Sequence, residues 1–156
     1  MAEDDSDADA LLSAVGFDGD DSVLTRRQAE VLALRERDVP QAAIAEELGT
    51  SRANVSSVEA SARENVRRAR ETVAFAAALE APVRARIEPG SDLFDVPSTV
   101  YEACDDAGVK VAVSSSELLR RVRETAPDAI QGDRVVEPLL VGVAADGSVQ
   151  IRQPDE

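Results

Sequence analysis

A chain of 156 residues with net charge −14, 3% aromatic residues, one Cys and neither His nor Trp has room for one full domain or two small ones, built on Val, Leu, Ile and Ala. Lacking His, and with Cys104 alone, it excludes ordinary zinc sites, disulfide frameworks, His-based acid/base chemistry and Cys–His nucleophiles, so neither an enzyme nor a metal or other cofactor is expected. No apolar run approaches the roughly 18 residues of a membrane span, and the acidic opening MAEDDSDADA is unlike an export signal, which predicts a soluble cytoplasmic protein with no membrane partner.

Charge divides the chain into three. Residues 1–21 hold eight acids and no base, which reads as a disordered acidic tail whose short apolar patch at Leu11, Leu12, Val15 and Phe17 allows a helical turn. Residues 22–80 hold nine acids and nine bases, and residues 81–156 fourteen acids and eight bases. The neutral middle segment is the exception in so acidic a chain.

That segment opens with LTRRQAEVLALRERD. Thr25 and Gln28 have capping-box spacing and Leu24 precedes them as a staple, so a helix starts there. It stops by the Val39–Pro40 step, because proline disfavours helical backbone in the residue before it. QAAIAEELG predicts a short second helix from about Gln41 to Leu48, closed by Gly49 in a left-handed conformation. Thr50 or Ser51 caps a third helix, which meets neither Gly nor Pro before Pro82. A short helix, a glycine turn and a longer helix make the helix-turn-helix arrangement. Ala45 stands at the close crossing, Gly49 at the turn, and Ile44, Leu48, Val55 and Val58 in the shared core.

Wound at about 100° per residue, the third helix carries two separate faces. Val55, Val58, Ala62, Val66, Ala69, Val73 and Ala76 form an apolar stripe, while Arg52, Ser56, Arg63, Arg67 and Arg70 fall within about 60° of one another. In a DNA complex Arg52, Ala53, Ser56 and Ser57 would enter the major groove, with Arg52 able to grip guanine and the small residues admitting close approach. Arg63, Arg67 and Arg70 would lie along the phosphates and fix register, and Gln41 would meet a phosphate from the start of the second helix. The competing reading is a solvated face whose arginines pair with Glu59, Glu64 and Glu71. Asn54 projects well away from Arg52 and suits a structural or phosphate role. The apolar stripe outlasts the motif's own core, so it serves either a homodimer or docking of the C-terminal half.

Beyond Pro82 the alternation of Val83, Ala85 and Ile87 predicts a strand followed by a PGSD turn. VPSTVYEACDDAG reads as a helix, VKVAVS as a strand, and SSSELLRRVRETA as a helix capped by Ser114 with Glu117 in capping-box position. RVVEPLLVGV and SVQIR, joined by AADG, read as a hairpin. The class is α+β: an N-terminal all-helical helix-turn-helix domain over 22–80 with a long third helix, then a small α/β sandwich over 81–156 in the order β-α-β-α-β-β. Cys104 reads as a core thiol, and the carboxylates of EPGSDLFDVP form no recognisable metal set.

LTRRQAEVLALRERDVPQAAIAEELGTSRANVSSVEASARENVRRA resembles the Tfx family of archaeal DNA-binding transcriptional regulators, above all in GTSRANVS and the Glu59, Ala62, Glu64, Asn65 extension. Its opening is also similar to the helix-turn-helix of LuxR-type regulators and to the last region of sigma factors. EPGSDLFDVPSTVYEACDDAGVKV and SSELLRRVR are similar to the rest of Tfx-like proteins, so the resemblance runs from about Ser22 onward. It implies a transcription regulator whose partner is double-stranded DNA, and a C-terminal domain for effector binding, dimerisation or interaction. The alternative is a protein-interaction module that docks the transcription machinery through the same basic helix. One lysine, Lys110, among 17 basic residues further resembles the composition of salt-loving archaea. At molar salt the counterion release that drives DNA binding is weak, so an acidic chain is no bar to it.

Overall fold

In the computed structural model, which describes residues 7–154, α1 (Asp7–Val15) forms inside the segment whose acidity predicts disorder. A helix of nine residues is marginal in isolation. Here Ala8 and Leu12 are buried, and Ala8 joins a core with Val31 and Leu34 of α2 (Arg26–Arg35). An ion pair between Asp9 and Arg26 adds a second tie. The expected tail is thus corrected for residues 7–15, where a few apolar side chains suffice because a packing surface is waiting. Residues 1–6 of that tail, and 155–156 of the expected C-terminal domain, lie outside the described residues.

The capping box forms as expected. Thr25 Oγ1 accepts from the Gln28 N–H at 3.2 Å and Gln28 Oε1 accepts from the Thr25 N–H at 3.0 Å. Asp38 takes φ 59°, an uncommon left-handed state for a residue with a side chain, and Pro40 stands at the N-cap position of α3 (Gln41–Glu47) without a side-chain cap. Gly49 turns the chain at φ 65°, the Thr50 N–H donates to the Ala45 carbonyl at 2.9 Å, and Ser51 Oγ caps α4 (Arg52–Glu80) by accepting from the Asn54 N–H at 3.1 Å. Ile44, Ala45 and Val55 are buried between these helices, with Leu48 and Val58 half-buried beside them. The 29-residue α4 is unbroken at Ser57.

The chain divides into two compact units, Met1–Thr72 and Val73–Glu156, so the division falls within α4 and not at the expected 80/81. Some side chains beyond Val73 pack with the second unit: the Arg152 guanidinium sits 5.9 Å from the centre of the Phe75 ring, and Ala78 and Ala81 are buried.

In the second unit β1 (Val83–Ile87), β4 (Leu139–Val143) and β5 (Val149–Arg152) form an antiparallel sheet in the order β1-β4-β5, with Ala85 opposite Val141 and Val141 opposite Ile151. α5 (Val96–Ala107) packs on β1 and α6 (Ser115–Thr125) on β5. Val83, Ala85 and Ile87 face this core beside Val100, Cys104, Leu118 and Val122. β2 (Ile130–Gln131) and β3 (Arg134–Val135) make a separate small hairpin, and Pro138, which has no N–H to give a ladder, parts β3 from β4.

The α+β class is as expected, with two corrections in its second half. RVVEPLLVGV is not one strand, since Arg134–Val135 pairs with Ile130–Gln131 and only Leu139–Val143 forms the hairpin with β5. VKVAVS is not a strand. Val109, Val111 and Val113 do pack on the core, but the backbone runs against the β4–β5 turn, where the Ala112 N–H donates to the Gly147 carbonyl at 2.9 Å. The Tyr101 hydroxyl donates to the Val113 carbonyl at 2.8 Å. Alternation reports burial of every second side chain and says nothing of ladder partners.

Candidate nucleic-acid interface

The turn at Gly49 and the Ser51 cap deliver α4 with Arg52, Ala53, Ser56 and Ser57 all exposed on its first turns. No described carboxylate forms an ion pair with Arg52 or Arg70. Asn54 is held away from this group, donating through Nδ2 to Thr50 Oγ1 at 2.9 Å, a local structural role.

The competing reading of the arginine row is realised at two members. Arg67 donates through Nε and Nη2 to Glu64 at 2.9 and 2.7 Å, which holds the Glu64 carboxyl below its ordinary range. Both partners are more than half exposed, and such pairs are worth about 0.2–1 kcal/mol, so a phosphate can displace the glutamate. Arg63 donates through Nε to Glu59 Oε2 at 3.1 Å and remains 53% exposed.

Glu59, read from the sequence only as an acid pairing with the arginine row and as part of the family extension, has a wider set of contacts. It also accepts at Oε1 from Arg35 Nε at 2.7 Å and from Gln41 Nε2 at 3.2 Å, so α2, α3 and α4 meet at one carboxylate. Burial pushes its pKa up, but hydrogen bonds from Gln41, Arg63 and Arg35, with the Arg35 charge, more than offset that and leave it below the usual value. On the wheel Glu59 falls in the seam, about 40° from Arg63 and about 20° from Val66. An acid at such a seam, with Arg35 one helix away, was the available signal. Gln41, half-buried at the start of α3, is placed by this contact.

In the second unit a cleft of about 330 Å³ is lined by Arg86, Glu88, Ser91, Asp92, Asp95 and Thr99. Its polar groups are largely spent on one another: Arg86 pairs with Glu88, Ser91 donates to the Glu88 carbonyl, and Thr99 donates to the Asp95 carbonyl. Among the described residues no acidic cluster has the geometry of a metal site, and no helix is long and apolar enough to cross a membrane.

Comparison with known proteins covers both units. Residues 22–68 match the family model described as sigma-70, region 4, and residues 69–151 the model described as DNA-binding protein, Tfx, C-terminal. A Haloarcula marismortui protein carrying the name of a transcriptional regulatory protein is 60% identical over 146 residues, 94% of this chain and 92% of its own length. A Methanocaldococcus jannaschii protein similarly named is 34% identical over 132 residues, covering 85% and 96%. The DNA-binding protein Tfx of Methanothermobacter thermautotrophicus is 36% identical over 126 residues, covering 81% and 91%.

Proposed function

This chain belongs to the Tfx family, and from that premise we propose that it is a transcription regulator that binds double-stranded DNA in a sequence-specific manner through its helix-turn-helix. The observation that carries the reading is the unbroken α4 after the Gly49 turn, with Arg52 and small exposed neighbours on its first turns and arginines along the same face. Arg52, Ala53, Ser56 and Ser57 read base edges in the major groove. Arg63, Arg67, Arg70 and Gln41 meet phosphates and set register. The protein acts without catalysis, in the cytoplasm.

It works as a homodimer in this reading, supported by Phe75 and Leu79, which stand 52% and 58% exposed about 40° apart on α4. The C-terminal unit serves effector, dimer or transcription-machinery contacts. The test is a mobility assay in molar KCl with genomic fragments. Arg52→Ala should relax base preference, whereas Arg67→Ala should weaken binding to every sequence and lower the salt slope by about one. Equal retention of all fragments by wild type and Arg52→Ala alike would count against the proposal.

A further inference from the structure

Glu59 is the buried charged side chain among the described residues, 8% exposed. Burying a carboxylate is costly, and an apolar residue at this seam would extend the Val55–Ala62 stripe at no such cost. The carboxylate spends itself on two groups that the reading above places at phosphates, Arg63 from its own helix and Gln41 from α3, and on Arg35 from α2. Arg63 commits its Nε–H, leaving four terminal N–H groups for an outside acceptor, and Gln41 commits its amide nitrogen while sitting at the first helical position of α3.

We infer that Glu59 is a positioning residue for DNA binding, which holds the Arg63 guanidinium and the Gln41 amide ready where the phosphates arrive. The inference rests on the DNA-binding reading. A long side chain held in place before binding loses less rotamer freedom on contact. Charge pulls the other way: a carboxylate beside a polyanion repels it, so removing Glu59 by charge alone would tighten binding. The two effects differ in sign, and affinity decides between them.

The experiment measures Glu59→Gln against wild type on a genomic fragment that wild type retains selectively, in molar KCl. Glu59→Gln should bind about three- to tenfold more weakly despite carrying one negative charge fewer. In an Arg63→Gln background the same change should shrink to about twofold or less, because coupled residues do not add. Equal or tighter binding by Glu59→Gln, or a full additive loss in the Arg63→Gln background, overturns the inference. If Glu59→Gln loses its helical circular dichroism, Glu59→Asp keeps the charge but withdraws the carboxylate by one methylene; it should weaken binding likewise, and unchanged affinity overturns the inference. Wild type that retains no fragment selectively overturns both readings. Selective wild-type binding with an unaltered Glu59→Gln overturns this one alone.

Discussion

Arg35 on α2 reaches the Glu59 carboxylate of α4 with Nε at 2.7 Å while its Nη1 donates to the Val39 carbonyl at 3.1 Å. One guanidinium thereby ties the recognition helix to the loop that leads into α3. Arg35→Ala strands part of a buried acceptor and should lower the unfolding free energy by about 1–3 kcal/mol. Urea titration followed by far-ultraviolet circular dichroism checks this, and a shift within error would mean that Arg63 and Gln41 satisfy Glu59 unaided.

Two glycines should respond unequally to alanine. Gly49 has φ 65° and nothing within 4 Å of an added Cβ, so Gly49→Ala carries backbone strain alone, about 1–2 kcal/mol. Gly147 has φ 85°, and its Cβ would stand 2.3 Å from the Lys110 carbonyl oxygen and 2.9 Å from the Ala112 nitrogen. Gly147→Ala must also push the 109–113 segment aside, at about 3 kcal/mol or more. The same titration ranks the two, and an equal loss would show that this segment yields freely.

Acid should weaken α6 in a defined window. Hydrogen bonds from Arg120, then Arg121, pull Glu117 from an ordinary 4.5 down to about 2, against desolvation. The folded value lies below the unfolded one, so its contribution is complete above 4.5 and disappears as pH falls toward 2. Glu117→Gln should melt below wild type near neutrality, and the gap between their Tm values should close across that interval. A gap independent of pH would assign the loss to capping or packing.

The exposed Phe75 and Leu79 on α4 make the oligomeric state a direct measurement. Wild type should sediment as a dimer in molar KCl, and Phe75→Glu, which puts a charge beside Leu79, should halve the mass. A monomeric wild type removes this surface from the interface.

Local chemistry was legible wherever a residue acts on its own backbone. The Thr25–Gln28 box, the Gly49 turn, and the Ser51 and Ser114 caps all follow from side chains within three or four positions of their partners. The core of Ile44, Ala45 and Val55 was legible because helical spacing encodes it. What escaped depends on distant partners. α1 exists because Val31 and Leu34 lie ready, although its own sequence argues for disorder. VKVAVS alternates like a strand but spends its backbone on the Gly147 turn. Glu59 showed one local signal, an acid at the edge of the apolar seam, but its partner Arg35 lies 24 positions earlier, a separation that no local pattern expresses.

Cys104 lies 1% exposed among Val96, Val100 and Leu118, and burial, then the Asp105 charge, pushes its thiol above the ordinary range. An alkylating reagent can therefore reach this sulfur only when the surrounding core parts, so its rate of modification is a clock for opening of the C-terminal unit. In a chain with a single thiol and no Trp, that clock runs without engineering and reads one half of the molecule while ligands are added to the other.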